Sequence, residues 1–396
     1  MNKSILIVGA GFGQLPAIAM AKKMGLQIVV VDKNIDAPGM KFADFPYDVN
    51  ILDFDGVLNV AKRHSVSGAM TMQSDLPVPT IGYINDNLGL VGVGLKVAQR
   101  CSNKIETRKR LKEKNCAQPN FFVVSNLAEA KKAAGKLGYP FVIKAPDSSG
   151  SRGVVKVDND GQIECAVSEA FKFTRGLEVL AEEFVVGLEF GAQTFSVDGV
   201  CEKVLIHNDT MSAPPYMIPI GHSFPFKYLS PSQLLEVEND IKNAVESLGI
   251  ENGPANVDLI LDKKNDRVKI IEIGARIGAT CLPELVEYYT GINWVEATIK
   301  NALGMEVDLA ETRRQPTAAL IIESPEDGKF KHYEIDFRED EPGLLELEVT
   351  AKENEIVNKL RKGTDRIGKI IVESENAELA EQLAAKLRSK IKINVE

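Results

Sequence analysis

The chain has no cysteine pair at metal or redox spacing. Cys101, Cys116, Cys165, Cys201 and Cys281 are scattered, with no CxxC and no histidine nearby at zinc spacing. That excludes a cysteine-built metal centre, and the thiols read as reduced and mostly buried in a cytoplasmic protein. No stretch reaches the roughly 18 apolar residues of a membrane span. No apolar leader follows the first four residues either, because Ile5-Leu6-Ile7-Val8 reads as a first strand, so neither a secretory leader nor a membrane partner is expected. Positive charge is short as well: 47 Lys and Arg stand against 56 Asp and Glu, a net charge of -9 and a pI of about 5.3. A nucleic-acid partner needs a basic surface, so none is expected, although local cations could still bind a nucleotide. There is no internal repeat, no low-complexity linker and no G-x-x-x-x-G-K-[ST] phosphate loop.

What remains is an ordinary globular composition, 44% hydrophobic and 26% charged, over 396 residues. That length suits two or three domains. Ile5 to Val8 runs into Gly9-Ala10-Gly11-Phe12-Gly13, then a helical pattern, then a strand over 28–31 ending at Asp32. A second cycle places a helix over 54–64, a strand over 68–72 and a helix over 75–87. Residues 1–95 therefore read as an open parallel sheet, half of a doubly wound α/β fold. Helices are expected at 94–101 and 103–114, with Asn103 as a cap. From Phe121 the texture turns α+β: a lobe of two strands and one helix (127–137) with a Gly/Ser loop at its tip. Strands dominate 178–225, a helix covers 230–248, and two strands follow at 255–261 and 268–273. Helices cover 282–303, and strand and helix alternate from 315 to the end. The division expected is 1–95, 96–310 (with a lobe at about 118–184) and 311–396.

Several residues in this frame carry chemistry. Lys144 ends the apolar strand Phe141-Val142-Ile143, beside Ser148-Ser149-Gly150-Ser151-Arg152-Gly153, whose amides and hydroxyls can face phosphate oxygens. Glu182-Glu183-Phe184-Val185 ends a strand and begins a connection, where backbone can meet an adenine edge. Glu182 and Glu189 could accept from a ribose. Asp258 and Glu272 each lie inside an apolar strand, where an acid is costly unless paired or metal-bound. In a hairpin both would face one side, as Mg²⁺ bound through one or two carboxylates requires. Arg276 could stabilise a transferring phosphoryl group, and an ion-pair network of Asp258 or Glu272 with Arg276 is the structural alternative. The first glycine turn resembles a dinucleotide fingerprint with Asp32 about twenty residues on, but Gln14 stands at the third glycine position. His222 could contact substrate or serve the fold.

The order of these motifs resembles the ATP-grasp superfamily, above all its carboxylate–amine ligases, over almost the whole chain. The resemblance implies an N-terminal parallel-sheet domain, a two-lobed ATP-grasp fold and a small C-terminal α+β domain. Lys104 in Ser102-Asn103-Lys104 matches the family's early phosphate-binding lysine and Lys144 its strand lysine. Ser148, Ser149, Gly150, Ser151 and Gly153 match the flexible loop, and Glu182, Glu183, Phe184, Val185 and Glu189 the adenine and ribose contacts. Asp258 and Glu272 match the metal acids, and Arg276 the catalytic arginine. Two departures stand out: Asp258 replaces the usual Glu, and Gly274 replaces the asparagine of E-x-N-x-R. The implied cofactors are ATP and Mg²⁺, with Mn²⁺ as an alternative. The implied reaction makes an acyl phosphate and ADP, then an amide. Its partners are a small-molecule carboxylate and an amine, and a homodimer is the assembly many relatives suggest. Gly11, Gln14, Asp75, His222 and Arg276 are the substrate-site candidates. Purine-pathway members acting on ribonucleotides are the alternative within the superfamily, and an NAD-binding oxidoreductase is the alternative of another class.

Overall fold

The computed structural model describes residues 3–148, 150, 152–213, 216 and 218–396. It divides into two compact units: Met1–Val204 with Gln233–Ile277 and Val295–Val307, and Leu205–Ser232 with Gly278–Trp294 and Asp308–Glu396. Among the described residues no helix is long and apolar enough to cross a membrane.

The first unit begins with a parallel sheet in the order Phe45–Asp48, Gln27–Asp32, Ser4–Val8, Gly68–Met70. Ser4–Val8 is buried along its whole length, as an apolar strand covered on both faces must be. Helix Phe54–Arg63 starts at Asp53, whose carboxylate accepts from Gly56 N, which satisfies an otherwise orphan amide. Its Val57 and Ala61 pack with Ile81 and Ile84 of helix Val78–Leu88 on Leu6, Val8, Val29 and Val31. The helix expected from residue 75 starts only at Val78. Asp75 is thereby left in the preceding turn, its carbonyl accepting from Val78 N at 3.2 Å.

Asn103 caps helix Lys104–Glu113 as expected, accepting from Ile105 N and Glu106 N. The lobe that follows is larger than the sequence indicated. Its sheet has four antiparallel strands, Phe121–Val124, Val179–Glu183, Phe141–Lys144 and Val154–Val157 in that order. Two helices cover it, Leu127–Leu137 and Ile163–Lys172. The second helix buries Ile163, Ala166, Val167 and Ala170, a helical spacing in which alanines alternate with larger residues. Beyond the lobe, Gly187–Val197, Gly253–Asp262 and Arg267–Gly274 run antiparallel as neighbours.

The second unit is α+β. Pro219–Phe224, Thr317–Glu323, Arg366–Glu373 and Leu344–Val349 form antiparallel neighbours. Helix Ala377–Ser389 lays Ala380, Ala384 and Leu387 on Ala318, Ile322, Ile370 and Val372. A smaller sheet orders Ile356–Val357, Gly328–Ile335 and Ile391–Val395. A parallel N-terminal sheet, a central antiparallel sheet with its lobe and a small C-terminal α+β region are thus all present.

The parallel sheet ends against backbone. A Cβ at Gly68 would lie 2.4 Å from Ala302 O, which a folded chain relieves only by moving main chain. Gly68→Ala is expected to cost about 1–3 kcal/mol, the usual range for overpacking, and to lower the midpoint of thermal unfolding. An unchanged midpoint would show that this contact is not close-packed.

Candidate functional site

Strand pairing builds the centre of the site. Asp258 of strand Gly253–Asp262 stands in register opposite Glu272 of strand Arg267–Gly274, and directly opposed residues project on one face. Lys104 Nζ reaches Glu272 Oε1 at 3.0 Å and Ser148 O at 2.7 Å. Burial alone would lower the Lys104 pKa, but Glu272 outweighs it and raises it. Arg276 forms its ion pair with Asp75. Its Nε and Nη2 grip Asp75 Oδ1 and Oδ2 at 2.8 and 3.1 Å. Burial works to lower the Arg276 pKa, yet Asp75 first, then Asp258 and Glu272, raise it, so the guanidinium stays charged.

The same geometry explains the glycine at 274. A Cβ there would meet Asp75 Oδ1 at 2.7 Å, so the Asp75–Arg276 clamp takes the space that an asparagine would need. Asn256, which the sequence reading passed over, stands opposite Gly274. It donates to Asp258 Oδ1 at 2.8 Å and accepts from Gln193 Nε2 at 2.7 Å. Its signal was available: an amide two residues before the strand acid shares that acid's face.

The second cluster lies on the lobe. Lys144 Nζ sits 2.6 Å from Glu182 Oε2, and Arg108 Nε sits 2.6 Å from Glu182 Oε1. Glu182 is 1% exposed, and both its oxygens are engaged. The expected acceptance from a ribose would have to share oxygens already bound to two cations. Burial pushes the Glu182 carboxyl up, but Arg108 and Lys144 prevail and hold it down at about 2. Glu183, on the opposite face of its strand, binds Lys269 Nζ at 2.9 Å and Asn120 Nδ2 at 3.0 Å. Phe184 lies under Lys156 Nζ, 5.0 Å from the ring centroid, and with Val185 forms the connection to strand Gly187–Val197, where Glu189 is exposed. In the loop, Gly150 and Gly153 take left-handed φ of 67° and 69°. The expected Ser149 and Ser151 fall outside the described residues.

The first glycine turn is tied to the fold. Asp32 Oδ2 accepts from Ala10 N at 2.8 Å and Oδ1 from Asn34 N at 2.9 Å, so its carboxylate holds the turn. Gln14 Nε2 donates to Met72 O at 2.5 Å and Oε1 accepts from Met72 N at 2.9 Å. The Gln14 amide, expected as a substrate contact, is used here by backbone. Gly11 is exposed, with open space where a Cβ would be.

In the second unit His222 Nδ1 and His207 Nδ1 approach Asp209 Oδ1 at 2.7 and 2.8 Å. The three offer ligand atoms within 4.8 Å of one another. Among the described residues His207 Nε2 is buried without a hydrogen-bond partner. Burial lowers the His207 pKa. Burial also pushes the Cys281 thiol up to about 12, which makes it unreactive.

The model of the carbamoyl-phosphate synthase L chain, ATP binding domain, matches residues 103–310, and that of the L-amino acid ligase C-terminal domain 2 matches 321–396. A formate-dependent phosphoribosylglycinamide formyltransferase of Sulfurisphaera tokodaii is 24% identical over 98% of this chain and 96% of its own. The structure of a phosphoribosylglycinamide synthetase from Anaerococcus prevotii superimposes with a TM-score of 0.85 at 28% identity, covering 100% of both chains. An L-amino acid ligase from Bacillus licheniformis has the same fold, with a TM-score of 0.84 at 23% identity over 100% of this chain and 99% of its own.

Two outcomes test the geometry. Gly274→Ala is expected to displace Asp75 from Arg276 and to lower turnover more than stability, which steady-state rates set against thermal midpoints will show. Glu182, with its folded pKa at about 2 against an ordinary 4.5, contributes stability that is fully present above pH 4.5. That contribution is lost as pH falls toward 2. Glu182→Gln should flatten the pH dependence of unfolding within that window, and an unaltered profile would remove the carboxylate from the acid response.

Proposed function

Because the chain belongs to the family of the carbamoyl-phosphate synthase L chain, ATP binding domain, and is an ATP-dependent ligase of the ATP-grasp superfamily, we propose that it activates a small carboxylate as an acyl phosphate and passes the acyl group to an amine on a phosphorylated ribose. The observation that carries the chemistry is the convergence of Lys104 on Glu272 and of Arg276 beside Asp258 and Glu272. The acceptor class rests on the full-length relationship to a phosphoribosylglycinamide formyltransferase and on the 28% identical synthetase structure.

Asp258 and Glu272 suit a hard divalent cation, since two carboxylates share one face and the Glu272 side chain is 34% exposed. Mg²⁺ held there would neutralise phosphate charge. In the proposed reaction Lys104 and Lys144 bind the polyphosphate. A carboxylate oxygen attacks the γ-phosphorus and ADP leaves. Arg276, kept charged and oriented by Asp75, faces the charge on the transferring group. The amine then attacks the acyl carbon and expels phosphate. Exclusion of water matters at that stage, because acyl phosphates hydrolyse.

A second reading, ligation of amino acids, is favoured by one observation, the match of residues 321–396 to the L-amino acid ligase C-terminal domain. ADP release with Mg-ATP separates the two. Release that needs formate or bicarbonate together with glycinamide or aminoimidazole ribonucleotide is expected. Release with amino-acid pairs instead would move the assignment to the second reading, and release with neither would overturn both. With the active pair, Glu272→Gln is expected to lower kcat by about 10²-fold or more with an unchanged circular dichroism spectrum. Full activity in that variant would remove Glu272 from the site.

A further inference from the structure

Helix Lys104–Glu113 carries a second cation one turn beyond Lys104. Arg108 is 1% exposed, and its guanidinium meets three acceptors. Nε donates to Glu182 Oε1 at 2.6 Å, Nη1 to Ile270 O at 3.1 Å and Nη2 to Ile271 O at 2.6 Å. Those two carbonyls immediately precede Glu272. One planar group thus ties the helix of Lys104, the strand of Glu182 and the strand of Glu272, a task for a fork of fixed donors and not for a lysine.

Charge makes the arrangement more than a clamp. Glu182 has two cationic partners, one on each oxygen. With Lys144 alone it would form a closed, neutral pair in a buried setting, and the ammonium would have little left to offer a phosphate. Arg108 takes up the carboxylate's charge through the other oxygen. Glu182 then aims Lys144 without neutralising it, and the three groups together keep a net positive charge at the end of strand Phe141–Lys144.

We propose that Arg108 is a positioning residue for nucleotide phosphates: it holds Glu182 so that Lys144 is presented as an oriented and uncompensated cation. This rests on the reading above that Lys144 faces the polyphosphate. Arg108 touches neither nucleotide nor substrate in this role, so its effect is specific to phosphate and depends on Glu182.

Calorimetric titration of the full chain with ADP and with adenosine tests this. Arg108→Met is expected to weaken ADP by about tenfold or more, a loss of roughly 1.4 kcal/mol or more, with adenosine affinity within about twofold of the wild type. Adding Glu182→Gln should restore ADP affinity to within about threefold, because removing the carboxylate frees Lys144 again. Should Arg108→Met fail to fold, Arg108→Gln keeps N–H donors for the carbonyls without the charge, and the same pattern is expected. The proposal is overturned if ADP affinity is unchanged in the foldable variant, if adenosine affinity falls in parallel, or if the double variant is no better than the single. Failure of the wild-type chain to bind ADP would overturn the proposed function itself, which separates the two outcomes.

Discussion

The constraint on which the site depends is the register between strands Gly253–Asp262 and Arg267–Gly274. Antiparallel pairing sets Asp258 opposite Glu272 and Asn256 opposite Gly274, and everything around them answers that placement. Two acids set side by side on one face repel each other, and cations nearby relieve that repulsion. Lys104 supplies one directly to Glu272. Arg276, just past the end of the second strand, supplies another at longer range while its own fork is held by Asp75. A slip of one residue by either strand would turn its acid to the other face and part the two carboxylates.

The parallel sheet takes part in the same arrangement. Gln14 binds both backbone polar groups of Met72, and Gln73 N donates to Ile277 O at 3.1 Å. The chain leaving strand Gly68–Met70 is therefore fixed at the point from which Asp75 meets Arg276. A turn that looks like a dinucleotide fingerprint acts as a brace. Its glutamine does what a third glycine could not, since glycine has no side chain to bridge to a neighbouring strand end.

The parts of this molecule legible in the sequence are those set by local pattern. Apolar runs gave the parallel strands, Asn103 gave a helix start, and acids inside apolar strands marked Asp258 and Glu272. Partners far apart in sequence were not legible. Arg108 reads as one more cation in a helix that also holds Lys109 and Arg110, and only the fold brings it to Glu182. Glu182 and Glu183 look alike as neighbours, yet strand alternation buries one between two cations and sends the other to Lys269. Gly274 looked like a lost ligand until the Asp75–Arg276 pair was seen to take its space. The helix Ile163–Lys172 had a readable spacing, but its buried face is built from alanines as much as from large residues.

Each of the cations Lys104, Arg108, Lys144 and Arg276 already holds a carboxylate, with Arg108 and Lys144 sharing Glu182. A site whose cations are all engaged does not attract a polyphosphate by standing field alone. An arriving nucleotide has to offer Lys104 and Lys144 an alternative to the acids they already hold, and the strength of those bonds sets the threshold. The two lysines differ in this respect. Glu272 is partly exposed, so water can replace Lys104 there at modest cost. Glu182 is fully buried, and abandoning it would strand an ionised carboxylate, except that Arg108 remains on its other oxygen. The buried arginine is what lets Lys144 share itself with a phosphate while Glu182 stays ionised, so recognition on the lobe depends on a residue that no ligand needs to touch.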